Sequence, residues 1–404
     1  MPPFAGFRSR GVEPCNEPGA AGGIYPLRRP AGRSTGNSPN INPQTASCGS
    51  VPAVHVVGVE DSNDFSFRHV PTYAALDLGT NNCRLLIARP VGRSETGFRI
   101  IDSFSRIVRL GEGLSKSGSL GETAIVRTLA ALQVCSDKML ARGVTRARLI
   151  ATEACRAAEN GDEFLARVRE STGLDLEIVD RETEAHLAAA GCASLADSAA
   201  QGVVLFDIGG GSSEVVWLAR SAKGDISPTN DAALRERVRF WVSLKLGVVT
   251  LAEKFGGLDI SDTTFEAMTD HVGQELQSFV AKAQGVEKCG RFHLLGTSGT
   301  VTTIAGVYLG LARYDRRRVD GLWMSTQEVN EAVARLRQMS YKERVANGCI
   351  GPERADLVLA GCAILEAIRR AFPAERVRIA DRGLREGILM QLMSADRAWA
   401  GPSS

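Results

Sequence analysis

The chain has 404 residues, of which 44% are hydrophobic and 23% charged, a composition typical of soluble globular proteins and long enough for two domains. The net charge of +2 does not indicate a nucleic-acid partner, and no apolar stretch reaches the roughly 18 residues that a membrane-spanning helix needs. The nine cysteines include no CxxC pair, so we expect reduced thiols and a cytoplasmic protein.

The first 72 residues differ in composition from the rest of the chain. They contain ten of the fifteen prolines, together with polar runs such as GRSTGNSPNINPQTASCGS. A segment of this kind buries too little apolar surface to offset the entropy that it loses on ordering. We therefore predict a disordered tail over residues 1–72.

From Tyr73 onward, short β-branched runs alternate with longer amphipathic runs, which is typical of α/β proteins. The predicted strands are 73–78, 84–89, 98–104, 146–151, 175–179, 203–208, 214–219, 237–243, 291–295 and 376–380. The predicted helices are 121–141, 161–171, 182–193, 247–256, 262–283, 299–311, 327–338, 353–371 and 383–394. Pro352 suits the first turn of the helix predicted at 353–371.

Two of these segments repeat each other at an offset of 130 residues. ALDLGTNNCRLLI (75–87) aligns with LFDIGGGSSEVVW (205–217), so that Asp77 meets Asp207. Each copy reads as a strand that ends near an aspartate, a tight turn and a returning strand. Two matches in phase, each opening more than a hundred residues, indicate duplicated domains that face each other. Two unrelated hairpins are the alternative.

The residues of the two turns are suited to binding phosphate. Small side chains leave backbone N–H groups unshielded, and several such groups in one concavity bind an anion. A plain hairpin with positive φ angles is the alternative, although it needs fewer glycines and serines. The candidate phosphate ligands are Asn81, Asn82, Gly209, Gly210, Gly211, Ser212 and Ser213.

A third candidate phosphate loop is LLGTSGTVTTIAG (294–306). Its apolar strand is followed by Ser298, Gly299 and Thr300, which open a helix without bulky side chains. The unpaired N–H groups and the dipole of a helix N-terminus attract anions. Taken alone, this signal is weak, since many strand-to-helix turns look the same.

Acidic side chains beside these turns are candidates for a metal site. Asp77 and Asp207 end their strands, and Glu214 begins the strand that returns from the glycine turn. Carboxylate oxygens are the ligands that a hard cation such as Mg²⁺ prefers. In the first copy, Arg84 occupies the position that Glu214 occupies in the second copy. The two copies therefore place a basic and an acidic side chain on opposite sides of the cleft. Exposed charges at a strand edge are the alternative for both.

Motifs of other phosphate and hydrolase chemistries are absent from the sequence. It contains no GK pair of a P-loop, no GxGxxG after a strand, no HExxH and no GxSxG. Hydrolysis at this site would therefore use water and not a serine nucleophile. The basic run RYDRRRV (313–319) has the charge to contact a polyanion, but such a run is more often a solvated surface.

Six segments carry a resemblance to one family. They are YAALDLGTNNCRLLIA, ATEACRAAENGDEFLARV, ETEAHLAAAG, FDIGGGSSEVV, GTSGTVTTIAG and ADRGLREGIL, in matching order over residues 73–395. On these segments the chain resembles the exopolyphosphatase and guanosine pentaphosphate phosphatase family of the actin-like (ribonuclease H-like, ASKHA) superfold. The resemblance implies an α/β protein with two duplicated actin-like domains and an inter-domain cleft. The expected domains are 73–188, joined by the C-terminal helix 383–395, and 189–380, without the HD-type helical domain of longer members.

The resemblance also implies roles for residues that spacing alone does not assign. It places the base for the attacking water at Glu184, and it places Thr152 and Arg156 against the substrate phosphates. The segment departs from the family where Thr183 and His186 replace a glutamate and an arginine. Glu182 is therefore the alternative base. Without the resemblance, acidic residues at a helix N-terminus would be read as capping its dipole.

The function that the resemblance implies is Mg²⁺-dependent release of terminal phosphate from inorganic polyphosphate. Cleavage of the 5′ γ-phosphate of guanosine pentaphosphate uses the same chemistry and is the nearest alternative. A non-catalytic sensor of guanosine pentaphosphate or tetraphosphate, and a sugar kinase or chaperone-like ATPase, are further alternatives. We expect no nucleic-acid or membrane partner, a role in the stringent response and a homodimer as the assembly to test.

Overall fold

The computed structural model describes residues 70–91, 97–220, 231–283 and 291–399. The tail predicted at 1–72 lies outside these ranges, apart from residues 70–72. Thr72 is buried, and its carbonyl accepts a hydrogen bond from Thr145 N (2.9 Å). The packed fold therefore begins slightly before the boundary that composition predicts.

The strands of the described residues form two sheets. In chain order they are β1 Tyr73–Leu78, β2 Asn82–Pro90, β3 Phe98–Ile107, β4 Arg146–Ala151, β5 Glu177–Ile178, β6 Gly202–Ile208, β7 Ser213–Ala219, β8 Val238–Leu244, β9 Phe292–Thr297, β10 Trp323–Ser325 and β11 Arg376–Ala380. The first sheet has the order β3-β2-β1-β4-β5 and the second the order β10-β11-β9-β6-β7-β8.

Helices connect the strands and cover the sheets. In chain order they are α1 Leu114–Ser117, α2 Glu122–Ala141, α3 Glu153–Ala157, α4 Gly161–Thr172, α5 Arg181–Cys192, α6 Asp231–Arg237, α7 Val248–Phe255, α8 Asp262–Ala283, α9 Gly299–Tyr308, α10 Arg316–Val319, α11 Thr326–Gln338, α12 Tyr341–Ala346, α13 Val358–Ala371 and α14 Leu384–Ala395.

The two sheets share one topology, which confirms the predicted α/β fold with duplicated halves. In the first, β1 pairs antiparallel with β2 and parallel with β4; in the second, β6 pairs antiparallel with β7 and parallel with β9. The register repeats as well, since Asp77 lies opposite Arg84 and Asp207 lies opposite Glu214. In β1 and in β6 the aspartate is the one residue that is not fully buried.

Two helices connect the halves. The last helix, α14, packs on the first sheet, where Ile388 and Leu389 join a buried cluster with Tyr73 and Ile150. Helix α5 packs on the second sheet through residues that include Ala189. The domain boundary predicted at 188/189 falls within α5, and the boundary itself stays a prediction.

Helices α5 and α14 cross each other at glycines. A Cβ placed on Gly387 would lie 2.0 Å from Leu187 O, and one placed on Gly191 would lie 1.9 Å from Gly383 O. Since real Cβ atoms do not approach a carbonyl oxygen this closely, each position admits only glycine. This glycine crossing holds the backbones of the two helices in direct contact.

The helix predicted at 353–371 begins at Val358 instead, and Pro352 does not lie in its first turn. Residues 352–357 form turns, in which Leu357 N and Val358 N both donate to Arg354 O (2.9 and 3.0 Å). A tertiary contact overrides the helical pattern here, because Arg109 binds the Asp356 carboxylate and the Glu353 carbonyl. Several elements of three to seven residues, such as α3 and β10, are too short for periodicity to predict.

In the described ranges, no helix has the length and apolarity to span a membrane. The cysteines within those ranges are all buried and free: Cys83, Cys135, Cys155, Cys192, Cys349 and Cys362.

The glycine crossing predicts the effect of a single methyl group. Gly387→Ala should lower the free energy of unfolding by at least about 2 kcal/mol, because the new Cβ must displace the α5 backbone. The measurement is urea unfolding followed by circular dichroism. The matched control is Gly273→Ala within α8, where a Cβ meets nothing within 4 Å and should stabilise the helix by up to about 1 kcal/mol. Equal midpoints for the two variants would contradict the described crossing.

Candidate active site

Two turns with the same hydrogen bond face each other across the cleft between the sheets. The turn after β1 is closed by Gly79 N donating to Asn82 O (2.9 Å). The turn after β6 is closed by Gly209 N donating to Ser212 O (2.9 Å). The repeat seen in the sequence therefore extends from the strands into the turns.

The glycines of the second turn permit it to touch the first. A Cβ placed on Gly210 would lie 3.1 Å from Asn81 N, and one placed on Gly211 would lie 2.6 Å from Thr80 Oγ1. A larger side chain at either position would push the two halves apart. Close approach of the two turns is thus a physical reason for consecutive glycines in this strand connection.

The N-terminus of α7 orients the glycine turn. Val248 N donates to Gly209 O (3.0 Å), and Val249 N donates to Gly210 O (2.8 Å). Because these carbonyls point at α7, we infer that the amide groups of the turn face the cleft. Such an arrangement is suited to binding a phosphate.

The third predicted loop lies at the start of α9 and brings two arginines with it. Ser298 has φ 119°, a strained value for a residue with a side chain, and its hydroxyl accepts a hydrogen bond from Thr300 N (3.2 Å). A Cβ placed on Gly299 would lie 3.3 Å from Arg354 Nη1 and 3.7 Å from Arg84 Nη2. Two guanidinium groups therefore converge on this helix N-terminus, where unpaired N–H groups attract anions.

Arg84, Arg354 and Arg385 form a cluster in which the guanidinium groups repel one another. Burial and repulsion from Arg84 lower the pKa of Arg354. Burial lowers the pKa of Arg385 too, with repulsion from Arg84 and Arg316 opposed by attraction to Glu386 and Asp77. Within the described ranges, none of the three side chains forms a salt bridge or donates a hydrogen bond. An anionic ligand would relieve this repulsion.

Five carboxyl groups line the same cleft; Glu153 pairs with Arg156 and Arg181, and the charges of the other four are disfavoured. Burial raises the pKa of Asp77, although Arg84 lowers it. Burial also raises the pKa of Asp207, to about 6, with Arg84 lowering it and Asp77 raising it. Burial and then Asp207 raise the pKa of Glu214 to about 7. The Glu214 carboxylate accepts a hydrogen bond from Ser243 Oγ (2.8 Å).

Glu184, the predicted base, is buried in the first turn of α5. Its burial and repulsion from Glu214 raise its pKa well above the ordinary value, against the lowering effect of Arg156. Arg156 Nη2 donates to Glu184 Oε2 (3.1 Å), which fixes the orientation of the carboxylate. A carboxylate with a raised pKa is a stronger base once deprotonated.

Arg156, which the resemblance places against the substrate phosphates, is directed at protein groups in this structure. Its Nη2 donates to Glu153 Oε2 (2.6 Å) as well as to Glu184, and its Nη1 donates to Val179 O (2.6 Å). With these donors occupied, Arg156 lies outside the cleft lining and acts as a positioning residue for Glu184. Thr152, at the start of α3, does line the cleft.

The alternative base, Glu182, is exposed and lies outside the cleft lining. Asp180, and not an acidic residue of the first turn, caps α5 by accepting a hydrogen bond from Thr183 N (2.7 Å). His186 is buried, and its Nδ1 lies 2.8 Å from Glu182 O. Although Thr183 and His186 depart from the family pattern, Glu184 still lies at the cleft.

Most predicted ligands meet in the cleft, and besides Arg156 one more does not. Ser213 is fully buried outside the cleft lining, because side chains alternate along β7 and its neighbours Ser212 and Glu214 face the cleft. The predicted residues that line the cleft are Asp77, Asn81, Asn82, Arg84, Thr152, Glu184, Asp207, Gly209, Gly210, Gly211, Ser212, Glu214, Ser298, Gly299 and Thr300. Sequence reasoning missed Arg354, which lies inside a segment that was predicted as regular helix.

The cleft offers oxygen ligands that suit Mg²⁺, although it contains no preformed set of metal-binding side chains in the described residues. In the described part of the chain, no group of three or more His, Cys, Asp or Glu side chains is arranged to hold a metal ion, so Asp77, Asp207 and Glu214 form no ready-made site. The carbonyl oxygens Asn81 Oδ1 and Asn82 Oδ1 are, however, buried without a hydrogen-bond partner. These acceptors and the repelling carboxyl groups fit a hard cation that takes its remaining ligands from phosphate and water.

The cleft opens into a second cavity, which we call the arginine groove. Asp77, Arg84, Asp207, Ser298, Gly299, Arg354 and Leu384 line both spaces, so the two are continuous. The arginines that line the groove further out are Arg106, Arg316, Arg382 and Arg385. Arg316 belongs to the basic run 313–319, and it lies in the groove while pairing with Glu386 (Nη2–Oε1 3.0 Å).

The two facing turns on duplicated sheets define a protein of the actin-like ASKHA superfold. The chain belongs to the Ppx/GppA phosphatase family, whose family model matches residues 86–396. A crystal structure of the Aquifex aeolicus Ppx/GppA family member has 26% sequence identity and a TM-score of 0.64, and the match covers 81% of this chain and 98% of that one. An exopolyphosphatase from Cytophaga hutchinsonii shares the fold at 20% identity, with a TM-score of 0.71 over 80% of this chain and 98% of that one.

The names of two relatives give two different activities. The guanosine-5′-triphosphate,3′-diphosphate pyrophosphatase of Photobacterium profundum is 28% identical over 330 residues, covering 81% of this chain. This chain spans 60% of the length of that relative. Exopolyphosphatase 2 of Mycobacterium tuberculosis is 26% identical over 329 residues, covering 79% of this chain and 98% of that protein.

The buried carboxyl group of Glu214 predicts a pH-dependent stability. With a folded pKa of about 7 against an ordinary value of 4.5, Glu214 stabilises the fold at low pH and loses this contribution as the pH rises through about 7. In metal-free buffer, Glu214→Gln should therefore melt a few °C above wild type near pH 8 and close to it near pH 4. Thermal scans across this range measure the difference, with Glu163→Gln, an exposed change on α4, as control. A variant less stable than wild type near pH 8 would refute the described burial.

Proposed function

We propose that this protein is an exopolyphosphatase, which removes terminal phosphate from inorganic polyphosphate by hydrolysis. One observation carries the proposal: a buried, oriented glutamate lies in a cleft with three phosphate loops that opens into the arginine groove. The family membership supports a phosphoanhydride hydrolase. The name of the Mycobacterium tuberculosis relative supports polyphosphate as the substrate.

In the proposed reaction, a water molecule attacks the terminal phosphorus in line with the bridging oxygen. Glu184 accepts a proton from this water while Arg156 holds its carboxylate in place. The bond from phosphorus to the bridging oxygen breaks, and the shortened chain leaves with that oxygen. The amide groups of the turns and the arginines Arg84 and Arg354 stabilise the charge on the phosphoryl and leaving oxygens.

We propose Mg²⁺ as the cofactor, held by Asp77, Asp207 or Glu214 together with substrate phosphates and water. When bound, it would neutralise charge on the phosphoanhydride. The raised pKa values of Asp207 and Glu214, and the unpartnered amide oxygens beside them, support this choice. Asp77 and Asp207 each lie two residues before one of the two facing turns and repel each other, so a cation between them would also reduce repulsion between the halves.

The second candidate is hydrolysis of the 5′ γ-phosphate of guanosine pentaphosphate, an activity in the name of the Photobacterium profundum relative. The chemistry is the same, but the leaving group carries a guanosine. The groove favours the polymer, because among the described residues six arginines against five carboxyl groups line it and its aromatic side chains are Phe104 and Tyr314. A linear polyanion uses such a lining along its whole length, whereas a base stacks on aromatic rings.

A non-catalytic sensor would need no oriented base, and the bond between Arg156 and Glu184 therefore supports an enzyme. We further propose a cytoplasmic location and a homodimer, and for the second candidate a link to the stringent response. Cell fractionation and light scattering on purified protein test the first two.

A substrate panel separates these functions. With Mg²⁺ near pH 8, wild type should release phosphate from long-chain polyphosphate faster than from guanosine pentaphosphate, and neither ATP nor a sugar with ATP should be turned over. Glu184→Gln should lose about 10²- to 10⁴-fold in kcat because no group remains to accept the proton. Glu182→Gln is the matched control and should retain activity, since its side chain is exposed. Tight binding of guanosine tetraphosphate without turnover of any substrate would instead establish the sensor.

Cation binding can be measured without turnover. Mg²⁺ should raise the melting temperature of wild type, because a ligand that binds the folded state stabilises it. Asp207→Asn should reduce this rise, while Asp162→Asn, an exposed change on α4, should not. The same rise in both variants would rule out Asp207 as a metal ligand.

A further inference from the structure

A segment of the first half reaches across to the second half through Arg109. Its Nη1 donates to Asp356 Oδ2 (3.0 Å) and its Nη2 donates to Asp356 Oδ1 (3.0 Å), which is the bidentate geometry of strong arginine–carboxylate pairs. Nη2 also donates to Glu353 O (3.1 Å). Neither Arg109 nor Asp356 lines the cleft or the arginine groove.

The backbone of the same segment binds the first phosphate turn. Val108 N and Arg109 N both donate to Asn81 O (2.9 and 3.1 Å), and Gly111 N donates to Thr80 O (2.9 Å). Arg109 has φ 46°, which is strained for a residue with a side chain. The backbone of Arg109 therefore binds the first phosphate turn, while its side chain is directed at the other half.

The two groups that Arg109 binds flank Arg354 in the chain. Glu353 precedes Arg354 directly, and Asp356 follows it by two residues. The turn containing all three presents the Arg354 guanidinium beside Gly299 and Arg84. Since the Arg354 side chain has no salt bridge or hydrogen-bond acceptor in the described ranges, its place depends on how this turn is held.

A second contact runs parallel to the first. Glu253 of α7 accepts hydrogen bonds from Gly113 N (2.8 Å) and from Ser115 Oγ, both on the segment that follows Arg109. The first half is thereby joined both to the turn that carries Arg354 and to the helix that orients the glycine turn. Both contacts exist only when the two halves are close together.

We propose that Arg109 is a positioning residue that fixes Arg354 in the phosphate site only when the cleft is closed. The inference rests on the proposed function, because it concerns the same site. The side chains of Arg109 and Asp356 are partly buried, at 31% and 22% exposed, and their bidentate pair joins the first half to the turn that carries Arg354.

The test is a double-mutant cycle on polyphosphate hydrolysis. Arg109→Met should lower kcat/KM at least about tenfold, because a small displacement of a charged group in the site is costly. In an Arg354→Met background, Arg109→Met should have little further effect, since it acts through Arg354. Arg109→Lys keeps the charge but not the fork, and should fall between wild type and Arg109→Met.

Two variants keep the test independent of general destabilisation. Arg167→Met removes a bidentate pair of the same chemistry with Glu122 inside the first half, and should leave kcat/KM unchanged. Asp356→Asn should reproduce Arg109→Met while keeping a side chain of similar volume. Independent, multiplying effects of the Arg109 and Arg354 changes would overturn the proposal. So would wild-type rates for Arg109→Met.

Failure of the positioning role of Arg109 can be distinguished from failure of the proposed function. If wild type hydrolyses no polyphosphate, the function fails, and the same cycle is measured as the dissociation constant of tripolyphosphate by calorimetry. Weaker binding in Arg109→Met that disappears in the Arg354→Met background still supports the positioning role. Equal binding by wild type and Arg109→Met refutes it.

Discussion

Repulsion between buried carboxyl groups is the constraint on which the cleft depends. Asp77, Asp207, Glu184 and Glu214 line a space that is proposed to bind a polyanion, which would repel all four if they were ionised and uncompensated. Two features of the arrangement reduce this repulsion. Arg84 lies opposite Asp77 and acts on Asp207 as well, while Arg84 and Arg354 also reach the start of α9. A cation fits between these carboxyl groups and the phosphates, and the same burial that disfavours their charge makes Glu184 basic.

The duplication gives both halves the same hairpin. The two hairpins differ in charge at one register position, which gives them different roles in the site. Arg84 and Glu214 stand at the same place in their hairpins, each opposite the aspartate of its own strand. The first half thus contributes a cation that reaches the start of α9, and the second contributes an acid that raises the pKa of Glu184. Two copies of one hairpin produce an asymmetric site because one residue differs in charge.

The sequence predicts most of this fold and part of the site, for physical reasons that differ by residue. The strands and the repeated turns follow from local pattern, since apolar periodicity and glycines act over a few residues. Glu184 came only from the family resemblance, because a carboxylate in a first helical turn is usually a cap. Arg354 was missed because a contact with Arg109, 245 positions earlier in the chain, turns a helical pattern into a loop. The orientation of Arg156 towards Glu184 likewise depends on packing between α3 and α5, which no local pattern encodes.

The glycine crossing of α5 and α14 has a consequence for motion between the halves. Leu187, whose carbonyl touches Gly387, lies three residues after Glu184 on the same helix, a rise of about 4.5 Å. If the halves rotate about this contact, displacement grows with distance from the pivot. Glu184, which lies close to the pivot, would then move little, whereas groups at the far rim of the cleft would move further. Such a hinge would release a shortened polyanion while leaving the proton acceptor nearly stationary for the next turnover.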